Sequence, residues 1–519
     1  MEKKFGFSKD IAVVETDKGK VRGYSYDGMK IFKGIPYAKA ERFHAPRELE
    51  EWEGVLDAGS FGYVCPLLEM PKPNGEVLIP HRYWLMDEDC LNLNIWTPGC
   101  DDKKRPVLVW LHGGGFSAGS AIEHVAYEGE NMCREGQVVV VSINHRLNVL
   151  GYCDLSAFGE EYQNSGNAGT EDMIAALRWI QKNIARFGGD PQNVTLFGQS
   201  GGGAKITVLL QTPHADGLFA KGIVMSGTIA PAMADSRGSG KELVLAMMQE
   251  LTIDEVKDLE KVPYSDLAAA YRKVAPGLRE AGKYVGCWPQ PNDFYRGEPI
   301  QNGFRKETAQ IPLMVGSVFG EFTSFIPAPF DKHSMTREEG EKVVAKALGE
   351  EASTQLLPLF TQAYPERNPA ELLLLDYFFR GPGLQYIHER SRLNDCTYSY
   401  LFNLDMPVDG GRTPWHCADI PYVFHNTQLV PVTQEAGVTE KIESQIFNAV
   451  MEFARTGNPN HAGIPYWPAS EPEAEQVLII DKSTRVVTNF DKELIPLLEA
   501  YAGARFASQM EENEEDIQH

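Results

Sequence analysis

The sequence predicts an α/β protein built on a mostly parallel central sheet with helices on both faces. Three observations carry that reading. Short, strongly apolar, β-branched runs recur at Val107–Leu111, Val138–Ile143, Val194–Phe197, Gly222–Met225, Ile311–Val315 and Thr397–Phe402, and near-continuous apolar character suits strands covered on both sides. Helical patterns alternate with these runs, as alternating crossovers require. No repeat period and no Gly/Ser-rich or Pro-rich linker divides the chain, so residues 1–519 read as a single domain.

The elements follow in order. Between the second and third runs lies the stripe Met173, Leu177, Ile180, Ile184, which Thr170 is placed to cap and which Gly188-Gly189 followed by Pro191 should end. This strand, helix, strand unit leads directly into Ser200. The segment Asp331–Asp395 is mainly helical in pattern and precedes another strand, so 331–395 reads as a helical insertion, a cap, lid or regulatory subdomain. A later helix carries Ile442, Ile446, Val450 and Phe453 and should stop at Gly457. From Glu511 to Asp516 acidic residues crowd together, and 510–519 reads as a solvated, flexible tail.

Composition narrows the function. The 43% hydrophobic and 10% aromatic content is that of a globular protein with a sizeable core. A net charge of −23, from 72 acidic and 49 basic residues, would repel nucleic acid and anionic membrane surfaces. The stretch Met1 to Asp10 has no apolar run of signal-peptide length, and nowhere do ~18 uninterrupted apolar residues occur. A soluble, cytoplasmic protein is expected, unless a signal was removed upstream. Eight cysteines lie outside any CxxC or Cys/His zinc spacing, so free thiols and no metal are expected.

Two motifs carry chemistry. Gly198-Gln199-Ser200-Gly201-Gly202 is a G-x-S-x-G sequence between an apolar strand and a helix-compatible segment. There, glycines allow a sharp turn that leaves the serine oxygen exposed, the nucleophile elbow of α/β hydrolases. Alone the motif is weak in a chain with 48 glycines. Upstream, His112-Gly113-Gly114-Gly115-Phe116 directly follows Val107–Leu111. Backbone N–H groups of such a run can converge on the oxyanion of a tetrahedral intermediate, and Gly114, Gly115 and Gly201 are the expected donors. A phosphate loop would need a following Lys-Ser/Thr, which Phe116-Ser117-Ala118 does not supply.

With these motifs the chain resembles the type B carboxylesterases, a family that includes bacterial and animal carboxylesterases, cholinesterases and the non-catalytic neuroligins, and most resembles a bacterial carboxylesterase. The matching stretches are Phe32-Lys33-Gly34-Ile35-Pro36-Tyr37-Ala38, Glu88-Asp89-Cys90-Leu91-Asn92-Leu93-Asn94, the glycine run, Asn144-His145-Arg146, Phe187-Gly188-Gly189-Asp190-Pro191 and Phe453-Ala454-Arg455-Thr456-Gly457-Asn458-Pro459-Asn460. The resemblance implies an α/β-hydrolase fold and a Ser, Glu, His triad. It places the acid at Glu321, within Gly316-Ser317-Val318-Phe319-Gly320-Glu321, and the base at His416, within His416-Cys417-Ala418-Asp419-Ile420-Pro421. The resulting order Ser200, Glu321, His416 is that of the fold. It also implies a structural ion pair between Arg42 and Glu88. Cys65 and Cys90 match positions that are disulfide-bonded in secreted relatives, and free thiols are expected here.

Departures temper the match. Gln199 stands where the family has glutamate, which argues against a cationic substrate; Gly201 stands where it has alanine, and Gly320 where it has aspartate. Phe116, Gln199, Trp288, Phe319, Phe322 and Phe325 are candidates to line an acyl or alcohol pocket. The expected activity is hydrolysis of small to medium uncharged carboxylic esters through an acyl-serine, with no metal or organic cofactor and a small-molecule ester as partner. Amide or carbamate cleavage on the same triad is the rival chemistry. A neuroligin-like adhesion role is disfavoured because the serine is present.

Overall fold

In the computed structural model, which describes residues 4–69, 77–229, 239–286, 288–324, 328 and 330–501, the apolar runs form the middle of a 12-stranded sheet. Arg105–Leu111 pairs in parallel with Val139–Ile143 on one side and Gly189–Gln199 on the other. Parallel pairing continues through Lys221–Met225, Leu313–Val318, Thr397–Phe402 and Gln476–Ile480. Antiparallel strands finish both flanks: Arg485–Thr488 at one edge, and Asn92–Thr97, Met29–Pro36, Tyr24–Tyr26 and Phe5–Gly6 at the other. This is an α/β-hydrolase fold.

Strand alternation divides the core between two faces. Val107, Val109 and Leu111 pack with Leu177, Ile180 and Ile206 on one side. Leu108 and Trp110 pack with Phe197, Val450 and Phe453 on the other. The helix Thr439–Thr456 carries that second set and ends at Gly457 in the left-handed conformation, φ 81°, as its pattern predicts.

Strand ends shift by a residue or more at several places, the most at Gly189–Gln199, which starts ahead of the expected Val194; two differences have an identifiable local cause. The strand expected from Ile311 begins at Leu313, because Pro312 has no N–H to give the ladder; only its carbonyl takes part, accepting from Gly222 N at 3.1 Å. Thr170 is not a cap. The helix already starts at Ala168, entered through a 3-10 turn at Ser165–Asn167, so Thr170 lies inside its first turn with a buried hydroxyl. Its end is as expected: the chain tightens through Ile184–Phe187 and stops at Gly188, φ 79°.

The segment 331–395 contains the helices Arg337–Leu348, Glu350–Ala363 and Arg380–Ser391. Val344, Leu356 and Phe360 share a core with Leu401, Val477 and Ile479 of the sheet. Arg42 meets Glu88 through Nε at 2.9 Å and through a second, closer contact, and donates to the carbonyls of Leu259 and Val262. Cys65 and Cys90 are buried free thiols in mutual contact. Among the described residues no helix is long and apolar enough to cross a membrane. The acidic tail 510–519 lies outside the described residues.

Candidate active site

Parallel strands deliver the glycine run, Ser200 and Glu321 to one end of the sheet, because each lies just beyond a strand's carboxyl end, and the longer chain after Thr397–Phe402 brings His416 to them. Ser200 sits between Gly189–Gln199 and the helix Gly201–Leu210 with φ 59° and ψ −127°. Such a backbone is strained for a residue with a Cβ. It is held by Ser200 N donating to Met225 O at 2.8 Å and by Ala204 N donating to Ser200 O at 3.1 Å. The turn is tight enough that a Cβ on Gly202 would fall 1.9 Å from Leu111 O.

Glu321 opens the short turn Glu321–Ser324 after the strand Leu313–Val318 and is fully buried. One carboxylate oxygen accepts from Val318 N at 2.7 Å and the other meets His416 Nδ1 at 2.6 Å. The Glu321 carbonyl also accepts from His416 N at 2.7 Å, so the histidine is tied to Glu321 twice. On the other side, Phe379 stacks on the imidazole, with centroids 5.2 Å apart and planes at 10°. Gln199 is buried rather than lining an open pocket. Its amide nitrogen lies 3.1 Å from His416 Nε2 and its oxygen accepts from Cys417 Sγ at 3.3 Å. Among the described residues Ser200 Oγ makes no hydrogen bond, and the Gln199 amide nitrogen faces His416 Nε2.

The glycine run is oriented through its carbonyls. His112 Nδ1 donates to Gly113 O at 2.9 Å, and Gly114 O accepts from Ala118 N at 2.9 Å and Ser117 N at 3.2 Å. In a trans peptide the N–H points away from the preceding carbonyl, so the amides of Gly114 and Gly115 are turned from these partners. Gly201 packs directly on this loop: a Cβ there would lie 2.3 Å from Gly115 O. That contact explains why glycine replaces alanine. Burial and neighbouring Lys205 and His145 hold His112 well below the ordinary histidine value, leaving a neutral ring whose Nδ1 carries the proton.

Two further carboxyls surround the pair. Asp419 is pushed up to about 7 by burial and by the Glu321 charge, against a hydrogen bond from Tyr400 Oη at 2.9 Å. Asp376 is pushed well up by the same two causes. It nevertheless accepts from Phe378 N, Phe379 N and Arg380 N at 3.1, 3.0 and 2.9 Å.

The aromatic candidates separate. Trp288 is half-buried and sits edge-on to fully buried Phe116, with centroids 4.6 Å apart. Phe322 packs on Phe378 and, in parallel, on Phe379. Phe319 does not belong with them. It is fully buried under the Arg367 guanidinium, 3.7 Å from its ring centroid, and against Tyr364, so it offers no surface to a substrate. Phe325 lies outside the described residues. Sequence reasoning missed Phe379 and Asp376, whose only signal was a position inside a segment with a helical pattern.

Comparisons with known proteins identify the family. The model of the carboxylesterase family matches residues 10–495. Para-nitrobenzyl esterase of Bacillus subtilis (strain 168) is 32% identical over 492 residues, covering 93% of this chain and 97% of that protein. Phenmedipham hydrolase of Pseudarthrobacter oxydans is 31% identical, covering 90% and 94%. A solved esterase from Clostridium hathewayi, described as hydrolysing aliphatic aromatic polyesters, is 49% identical with a TM-score of 0.93, covering 96% of this chain and all of that one.

Proposed function

The chain belongs to the carboxylesterase family and is a carboxylic ester hydrolase, and from that premise we propose that it works through an acyl-serine formed on Ser200. A serine hydroxyl is a poor nucleophile until a neutral imidazole takes its proton. His416 Nε2 is that acceptor, and Glu321 on Nδ1 fixes the tautomer and stabilises the imidazolium. The N–H groups of Gly114, Gly115 and Gly201 hold the oxyanion. As the tetrahedral intermediate collapses, His416 returns the proton to the leaving alcohol; water then attacks the acyl-serine with the same histidine as base. No cofactor enters any of these steps.

The observation that carries the reading is the doubly tied Glu321–His416 pair, with Nδ1 and carboxylate at 2.6 Å, at the same strand edge as the strained Ser200. Its substrates are small to medium uncharged esters. Gln199 in place of a carboxylate leaves no negative charge beside the serine to attract a cation. Trp288, Phe322 and Phe379 favour aryl or alkyl groups, and the polyester chemistry of the Clostridium hathewayi relative extends this to aromatic acyl groups. The segment 331–395 serves as a cap, since its Phe379 bears on the imidazole.

Ser200→Ala tests the reading. It should fold as the parent does and lose on the order of 10⁶-fold in kcat on a p-nitrophenyl ester. A Ser200→Ala protein that retains esterase activity would refute it.

A further inference from the structure

Lys205 lies on the helix that follows Ser200, is 0% exposed, and makes no ion pair among the described residues. Its Nζ donates to the carbonyl of His112 at 2.9 Å and lies 6.0 Å from the centre of the Phe116 ring. The groups that face it are the Glu123 carboxyl, the Cys65 thiol, and the His112 and His145 imidazoles. The two imidazoles stack with centroids 5.2 Å apart, and each shares its Nδ1 proton with the next carbonyl at 2.9 Å. Both are held well below the ordinary histidine value, chiefly by burial, and stay neutral. Burial pushes Glu123 up to about 7 and Lys205 down to about 7.

A buried ammonium without a close counter-ion is costly, and an apolar side chain of equal volume would pack as well for less. Its place explains the expense. The carbonyl that Lys205 holds is the last one before Gly113, where the glycine loop begins. In a water-excluded interior, a fixed positive charge acts on developing negative charge far more strongly than in water.

We propose that Lys205 is a positioning residue for ester hydrolysis, anchoring the His112 carbonyl and placing a positive charge behind the glycine loop that stabilises the oxyanion. The proposal rests on the reading of Ser200 and that loop given above. Lys205 touches no reacting atom; it acts through the peptide it orients and through its field.

Lys205→Met keeps the volume and removes both charge and hydrogen bond. Assayed at pH 6, where the ammonium is charged, it should melt no lower than the parent. On p-nitrophenyl butyrate, kcat should fall about tenfold, less than for loss of a direct donor, with KM within about twofold. Affinity for a trifluoromethyl ketone, which captures Ser200 as an oxyanion, should fall by the same factor as kcat/KM. Lys205→Gln, uncharged but still a donor to the His112 carbonyl, removes only the charge and should lose less, about fivefold in kcat; it takes the place of the first variant if that one does not fold. A folded variant with kcat within about twofold of the parent overturns the proposal, whatever its melting temperature. Ser200→Ala run beside them separates the two readings. If it is inactive while Lys205→Met is unimpaired, only the Lys205 proposal fails; if it is active, the site itself is misassigned.

Discussion

At the scale of single residues, Asp419 has the most to say about the price of an acidic site. Burial and the Glu321 charge push its carboxyl up to about 7. Between about 4, where the unfolded chain gives up this proton, and 7 the folded chain keeps it, so stability falls as pH rises across that window. Asp419→Asn removes this dependence. Urea unfolding should show a smaller loss of stability between pH 5 and pH 8 in the variant, by on the order of 3 kcal/mol, since about two units of the window lie in that range; equal losses in both proteins would contradict it. Much of the candidate site was legible in the sequence at this scale: Ser200 and the glycine run sit in local motifs, whereas Glu321 and His416 were picked out only by resemblance to the family. Gln199 was legible as a departure but not as a neighbour of His416, a contact that needs the chain to return from 217 residues away. Phe319, read as pocket, is core, since nothing local tells which side of its turn an aromatic takes.

At the scale of elements, the entry to the helix Arg380–Ser391 links the segment 331–395 to the candidate triad. Asp376 gathers three backbone N–H groups there, and Phe379, whose carbonyl accepts from Thr228 Oγ1 at 2.9 Å, is thereby pressed on His416. Asp376→Ala leaves those donors unmet in the interior. It should lower the urea midpoint by the equivalent of about 1–2 kcal/mol and reduce kcat, as the ring of His416 loses its support. A stable variant with full kcat would show that the stacking is incidental. The sequence patterns located strands and helices well, and failed at their ends for identifiable reasons. Pro312 withholds a donor and delays its strand; a 3-10 turn starts the helix early and takes Thr170 inside.

At the scale of the whole molecule, the sheet is what turns distant motifs into one site. Arg105–Leu111, Gly189–Gln199 and Leu313–Val318 run parallel, so the glycine loop, Ser200 and Glu321 emerge at the same edge, and the chain beyond Thr397–Phe402 brings His416 onto Glu321. The parallel fold was readable from apolar runs alone, whereas the outer antiparallel strands Tyr24–Tyr26 and Phe5–Gly6 are short and partly exposed and carry no such signal, and Asn92–Thr97 is buried throughout yet interrupted by Asn92 and Asn94. The most direct test of the account is to treat the enzyme with diethyl p-nitrophenyl phosphate and map the adduct by peptide mass spectrometry. One diethylphosphoryl group on Ser200, appearing in step with loss of esterase activity, is the predicted result; inactivation with Ser200 unmodified would contradict it.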